Sequence, residues 1–374
     1  MTRLTVGPFN RVEGDLEVQL DIADGRVSAA RVNSPLYRGF EQILQGKDPR
    51  DTLVIAPRIC GICSVSQSMA AAYALANASG VAMPPNGELT TNLVLACENL
   101  ADHLSHFYLF FMPDFARPIY ADRAWYPSAA QRFQALRGTA AGAVLPARAQ
   151  FMHIMGLLAG KWPHSLSLQP GGTAKPVQAQ ERIRLLAILG AFRRFLERET
   201  FGDALEAVVA LDSARSLDTW AASDPEQGDL RRFLRIADDI DLGRLGRATD
   251  RFMSYGAYPV GGKRLFRSGL WVSDPQPLEI ASIAEDLTYS WMTGGGPLHP
   301  ASGVTIPDAD KADAYTWCKA PRLGGQVMEV GALARQVIDG HPLVGTEVGP
   351  GETAPVAVQH VVRSFDPCMV CTVH

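Results

Sequence analysis

The sequence predicts a mainly α chain with small β elements, an α+β fold. Three observations predict it. Apolar residues step by three and four over 88–111, a second amphipathic stretch fills 176–200, and strand-like alternation is confined to short regions such as 16–32.

Taken in order, residues 16–32 alternate through Leu16, Val18, Leu20 and Ile22, turn at Asp24-Gly25, and resume from Val27 to Val32, which is a β-hairpin pattern. From Arg38 the pattern turns helical. Residues 61–79 are rich in alanine and stop at Gly80, a C-cap residue, and Pro84-Pro85-Asn86 then breaks the chain. The clearest helix spans 88–111, with Leu89, Leu93, Ala96, Leu100, Leu104, Phe107 and Phe111 as its expected apolar face. Asp102, His106 and Phe110 form a second row at i+4 spacing, which reads equally as a polar rim or a functional stripe. After the helix at 176–200, Ser223 to Gly228 is a linker or turn, and 251–275 holds short strands or loops. Gly294-Gly295-Gly296-Pro297 is a flexible loop without the strand, helix and Lys-Ser/Thr of a phosphate loop. A helix at 329–339, a loop from Gly349 and a last segment, Val356 to Val362, complete the pattern.

At 374 residues the chain has room for two or three domains of ordinary size. Apolar residues at 47% and charged residues at 20% exclude wholesale disorder. A net charge of -4 argues against nucleic acid as the main partner. No run of about 18 apolar residues suggests a transmembrane helix, and the start lacks an apolar signal core. Both point to a cytoplasmic protein with no direct membrane insertion.

Four of the six cysteines form two Cys-x-x-Cys pairs, Cys60-Gly-Ile-Cys63 and Cys368-Met-Val-Cys371. Two intervening residues let both sulfurs of a pair face one metal. Neither pair is followed by His, so covalent haem attachment is excluded. A structural zinc site usually closes a much shorter loop than residues 64–367, so here it would tie the chain's ends together. A thioredoxin-like motif wants a preceding strand, whereas Ala56-Pro57-Arg58 stands there. Structural disulfides fit poorly with the absent signal. Cys97 and Cys318 stand alone and read as inert thiols. One soft-metal site built by both pairs remains, and four thiolates suit nickel, iron, copper(I) or zinc; spacing does not choose among them.

Further segments accompany these pairs: Arg11-Val-Glu-Gly14, Arg38-Gly-Phe-Glu41, Arg58-Ile-Cys-Gly-Ile-Cys63, Gly160-Lys-Trp-Pro-His164 with Gly171-Gly172, His299-Pro300, Lys319-Ala-Pro-Arg322 and Asp366-Pro-Cys-Met-Val-Cys-Thr-Val-His374. In this order they resemble the large subunit of nickel–iron hydrogenases over nearly the whole chain. The resemblance implies one large-subunit-like domain over 1–374, with the hairpin at 16–32, a helical core at 38–250 and a mixed part at 251–374. It implies that Cys60 and Cys368 are terminal nickel ligands. Cys63 and Cys371 would bridge to an iron carrying carbon monoxide and cyanide. Dihydrogen would be split heterolytically there.

By the same resemblance Glu13 is the first proton relay, and Arg322 lies over the metals, held by Asp102 and Asp366. Glu41 and His374 match a magnesium (or iron) site. Pro321 and Gln67 stand in the second shell, with Ile62 and Phe110 along the gas channel. Without the resemblance, Glu13 would be a surface or capping carboxylate, Arg322 a structural ion pair, and Ile62 and Phe110 ordinary core filling. An iron–sulfur small subunit is the implied partner, because the chain lacks spare cysteines for clusters.

Gln67 replaces a more usual His; it can donate a hydrogen bond to a thiolate but takes up no proton near neutral pH. Asp15 also stands where His is frequent. Gln67, Ile62 and Phe110 together resemble the regulatory, dihydrogen-sensing members, which implies signalling to a sensor histidine kinase. The chain is shorter than its family, with an apparent internal deletion near 345–350, and the loss would expose apolar surface. The other readings are an energy-conserving uptake hydrogenase and a non-catalytic, zinc-binding or metal-free interaction protein.

Overall fold

The structure is a computed structural model that describes residues 2–8, 15–242 and 249–342. The expected hairpin is present as β2 (Glu17–Ala23) and β3 (Arg26–Asn33). Asp24 and Gly25 both take positive φ, 52° and 73°, as a tight two-residue hairpin turn requires. A strand the sequence pattern did not announce, β1 (Thr2–Val6), pairs antiparallel with β2. On one face of this sheet Asp21, 3% exposed, accepts from Arg3 Nε at 2.7 Å and Arg31 Nη1 at 2.6 Å. These guanidinium hydrogen bonds hold its carboxyl far below the usual carboxylate range. On the other face Val6, Val18 and Val32 stand in register, and Leu4, Val6 and Val32 are 47%, 37% and 54% exposed.

Two short helices, α1 (Phe40–Leu44) and α2 (Thr52–Ile55), lead to α3 (Ser64–Ser79), which ends at Gly80 in the left-handed conformation as the alanine run predicts. The long helix α4 (Pro85–Ser105) continues as a π-helical turn, His106–Phe111. Its burial differs from the expected face. Leu89, Leu93 and Leu100 are 46%, 47% and 42% exposed, whereas Val94, Cys97, Glu98 and Ala101 are buried; Leu104 and Phe107 are buried as the pattern predicts. The inward row is rich in polar groups that find partners: Thr90 and Thr91 hydroxyls donate to the Asn86 and Gly87 carbonyls, and Asn92 donates to the Pro259 carbonyl at 2.6 Å.

Helices α5 (Tyr126–Phe133), α6 (Thr139–Phe151) and α7 (His153–Ala159) follow, then a two-stranded ribbon of β4 (Leu168–Gln169) and β5 (Gly172–Thr173). Gly171 and Gly172 have φ of 89° and 137°, and a Cβ on Gly172 would meet the Gly87 Cα at 2.9 Å. The paired glycines thus serve a turn and a close approach to the first turn of α4. The amphipathic stretch at 176–200 becomes α8 (Ala179–Phe195) with its own π turn, Leu196–Phe201. Next come α9 (Leu205–Val209), α10 (Ala214–Ser223) and α11 (Asp229–Asp239), separated at the expected linker. The main core joins these helices, with Phe107, Met112, Val144 and Phe233 essentially inaccessible.

Beyond it the chain is mixed, as expected. β6 (Phe252–Ser254), β9 (Gly269–Trp271) and β10 (Pro275–Gln276) form one sheet, and β7 (Ala257–Val260) with β8 (Lys263–Phe266) forms a hairpin. β11 (Ile283–Asp286) pairs with β12 (Ala320–Leu323). The glycine loop at 294–296 is irregular, and the Lys311 ammonium donates to the carbonyls of Leu287, Met292 and Gly294 beside it. Helix α12 (Ala332–Asp339) packs on β6 through Leu333, Val337 and Ile338. The Gly349 loop, Val356–Val362 and the apparent deletion lie outside the described residues.

Candidate metal centre

The 3-10 turn Ala56–Arg58 delivers Cys60 to the foot of α3, where Cys63 is the N-cap. Both cysteines are buried, at 5% and 6% exposure. The Cys63 amide donates to the Cys60 sulfur at 3.5 Å, which folds the Gly-Ile turn so that the pair lies together. Gln67, one turn further on, donates its side-chain amide to the Cys63 sulfur at 3.7 Å. Ile62 is half-buried beside the pair.

Two other motif segments converge here. Arg38 donates to the Ile59 carbonyl and stacks on Phe40, 4.9 Å from its centroid. His164 Nδ1 donates to the Pro57 carbonyl at 2.9 Å, and a Cβ on Gly61 would stand 3.9 Å from the His164 ring. Glu98 supplies the contact that sequence reasoning missed. It is 3% exposed and accepts from the Val65 amide at 3.0 Å, the Ser66 amide at 3.3 Å, the Ser64 hydroxyl at 3.3 Å and the Trp162 indole at 2.8 Å. It therefore satisfies the exposed amides of the helix that begins at Cys63, where a negative group is electrostatically favoured. Burial pushes its pKa up to about 7 despite those hydrogen bonds. The only hint in the sequence was its place on the row of Val94 and Ala101, inside a helix.

A second junction gathers the Glu41, His299 and Lys319 segments. Lys319 donates to Glu285 at 3.0 Å and lies 3.6 Å from Glu41. Glu285 is bridged by backbone hydrogen bonds to Leu298, next to His299-Pro300. Trp317 stacks on Tyr37 at 5.0 Å. Arg322 is half-buried opposite Ala284; it donates to the Pro321 carbonyl at 2.8 Å, and its charge helps lower the Asp286 pKa after that residue's own bonds to Thr288. Pro321 is exposed, Asp102 is half-buried on α4, and Phe110 is 43% exposed.

Cys97 is buried in the main core, where desolvation raises its thiol to about 12, and burial also raises Cys318; both fit inert thiols. Glu13, Asp366, Cys368, Cys371 and His374 lie outside the described residues. Among the described residues no group of three His, Cys, Asp or Glu side chains is placed to hold a metal. Two adjacent buried thiols suit a soft ion and no hard one.

With this fold and pair in view, comparison with known proteins assigns the class. The nickel-dependent hydrogenase family matches residues 38–141 and 143–342, and the chain belongs to that family. It is 26% identical over 353 residues to the periplasmic NiFeSe hydrogenase large subunit of Desulfomicrobium baculatum, covering 89% of this chain and 63% of that one. It is 26% identical over 403 residues to the hydrogenase-2 large chain of Escherichia coli K12, covering 90% and 67%. Among solved structures, the reduced Ni-Fe-Se hydrogenase from D. vulgaris Hildenborough matches with a TM-score of 0.74 and 27% identity, covering 97% of this chain and 70% of that one. The chain spans about two thirds of the length of the curated relatives it matches. Among the described residues no helix is long and apolar enough to cross a membrane.

Proposed function

We propose that the chain is the large subunit of a nickel–iron hydrogenase acting on dihydrogen, with residues 1–374 working as one domain. The observation that carries the proposal is the buried Cys60–Cys63 pair at the start of α3, in a chain that belongs to this family. Cys368 and Cys371 would complete a four-thiolate set. When bound, nickel and a carbonyl- and cyanide-bearing iron would supply the soft electrophile that polarises dihydrogen.

The chain's own residues act around that group. Gln67 donates to the Cys63 sulfur, stabilising negative charge on it without offering a proton. Glu13 would accept the released proton and pass it outward. Arg322, assisted by Asp102 and Asp366, would hold a fixed positive charge near the reacting molecule. Glu41 and His374 are proposed for magnesium or iron. Glu41 already faces the Lys319 ammonium, so a cation there would share or displace that contact. An iron–sulfur small subunit would carry electrons away.

A dihydrogen-sensing role, with a sensor histidine kinase downstream, is supported by Gln67, Ile62 and Phe110, and the net charge of -4 fits a cytoplasmic location. An uptake role is the second reading; the periplasmic D. baculatum relative favours it.

The test is elemental analysis and infrared spectroscopy of the chain co-produced with its small subunit and maturation machinery. Nickel, iron and bands of bound carbon monoxide and cyanide are expected, with loss of nickel in Cys60→Ser and Cys368→Ser. Zinc without those bands would overturn the proposal in favour of an interaction protein. Slow dihydrogen–deuterium exchange with little dye reduction supports sensing, and rapid dye reduction supports uptake.

A further inference from the structure

Away from the cysteine pair, α6, α7, the following loop and α8 line an open groove of about 610 Å³. Its lining contains Arg148, His153, Lys161 and Arg184 and no acidic side chain, in a chain whose net charge is -4. Among the described residues no carboxylate forms an ion pair with any of the four. Glu181, whose charge Arg184 influences, is already bonded to Lys175 and to the Gln178 amide. Two of the walls are held in place. Arg148 donates to the Ala101 carbonyl at 3.3 Å and lies over the Trp162 ring, 5.3 Å from its centroid. The Trp162 indole is tied to Glu98. Met152 adds an adaptable apolar surface beside that ring.

From this arrangement we propose that the groove is a binding site for a small aromatic anion, a phosphate or carboxylate carried on a flat ring. Two arginines and a lysine along one groove whose lining holds no carboxylate attract and orient an oxoanion. The tryptophan and methionine surfaces offer a face for a ring, and the volume falls within the range of small-molecule sites. Lys161 and Arg184, both exposed at the rim, are free to turn toward the anionic group.

The test is isothermal titration of the full chain, at pH 7 and low salt, with adenosine monophosphate as the probe and inorganic phosphate and adenosine as comparison arms. Adenosine monophosphate is expected to bind more tightly than phosphate, and adenosine to give no signal. Binding should weaken with added salt and fall by at least about tenfold in a Lys161→Ala, Arg184→Ala double variant, the size of one lost charge-assisted hydrogen bond. Circular dichroism checks that this variant keeps its fold. Absence of binding by adenosine monophosphate, or unchanged affinity in the folded double variant, would overturn the site. Equal binding of phosphate and adenosine monophosphate would overturn the aromatic part.

Discussion

At position 98 a carboxylate is buried where an apolar side chain would be the simpler filling, and its partners explain why. Removing it leaves the Val65 and Ser66 amides and the Trp162 indole without their acceptor. Glu98→Ala is therefore expected to cost roughly 3 kcal/mol, read as a lower urea midpoint. The group also sets a pH dependence. An unfolded glutamate releases its proton near 4.5, whereas the folded chain keeps it up to about 7. In that window the native state binds more protons, so this contribution to stability falls as pH rises, by up to about 3 kcal/mol across the window. Urea unfolding at pH 4.5 and 7.5 should show that slope in the wild type and lose it in Glu98→Gln. Equal slopes would assign the effect elsewhere. Glu98 was not legible beforehand because its partner Trp162 lies 64 positions away. Cys60, Cys63 and Gln67 were legible because their relation is local.

Among the elements, two helices end alike. The π turns that close α4 and α8 meet through the Tyr108 and Thr200 hydroxyls, 3.1 Å apart and buried. Beside them Arg132 of α5 forks onto Asp229 of α11, 3% exposed, and also reaches Glu199 of the second π turn. Burial raises the Asp229 pKa while the guanidinium pulls it down, so the pair belongs to the core in spite of its charge. Asp229→Ala strands Arg132 half-sequestered and is expected to cost about 3 kcal/mol, against a smaller loss of about 1 kcal/mol for Tyr108→Phe, both measured by urea unfolding. The same elements mark where apolar periodicity succeeds and fails. The α3 and α8 patterns and the β2–β3 hairpin read correctly because their caps and turns are local. The expected face of α4 holds at Leu104 and Phe107 and fails at Leu89, Leu93 and Leu100, because the inward row there includes Thr90, Thr91 and Glu98, whose hydrogen bonds replace hydrophobicity as the reason for burial. Nor does alternation reveal β1, a strand of five residues with only Leu4 and Val6 as apolar positions on one face.

For the whole molecule, the quoted segments behave as contacts as well as candidate ligands. The Arg38, Cys60 and His164 segments meet around α3, and the Glu41, His299 and Lys319 segments meet around β11 and β12. Lys319→Met would leave Glu285, 29% exposed in its side chain, beside an apolar neighbour. A stability loss of about 1–2 kcal/mol is expected by thermal unfolding, with little change in helical circular dichroism. If the variant also lowers nickel content, the second junction supports the first.

The meeting of Ser34 with Thr316 and Trp317 has a consequence in time. Ser34 donates to the Thr316 hydroxyl, and Trp317 donates to the Ser34 carbonyl, across 282 positions of sequence. During synthesis the cysteine-bearing helix emerges long before this clasp is able to close. At about 5–20 residues per second, tens of seconds pass between them. Through that interval Ser34 and Tyr37 lack their later neighbours Thr316 and Trp317. The clasp thus sets an order of assembly: the link between the N-terminal sheet and residues 316–317 closes only after all the helices between them have been made.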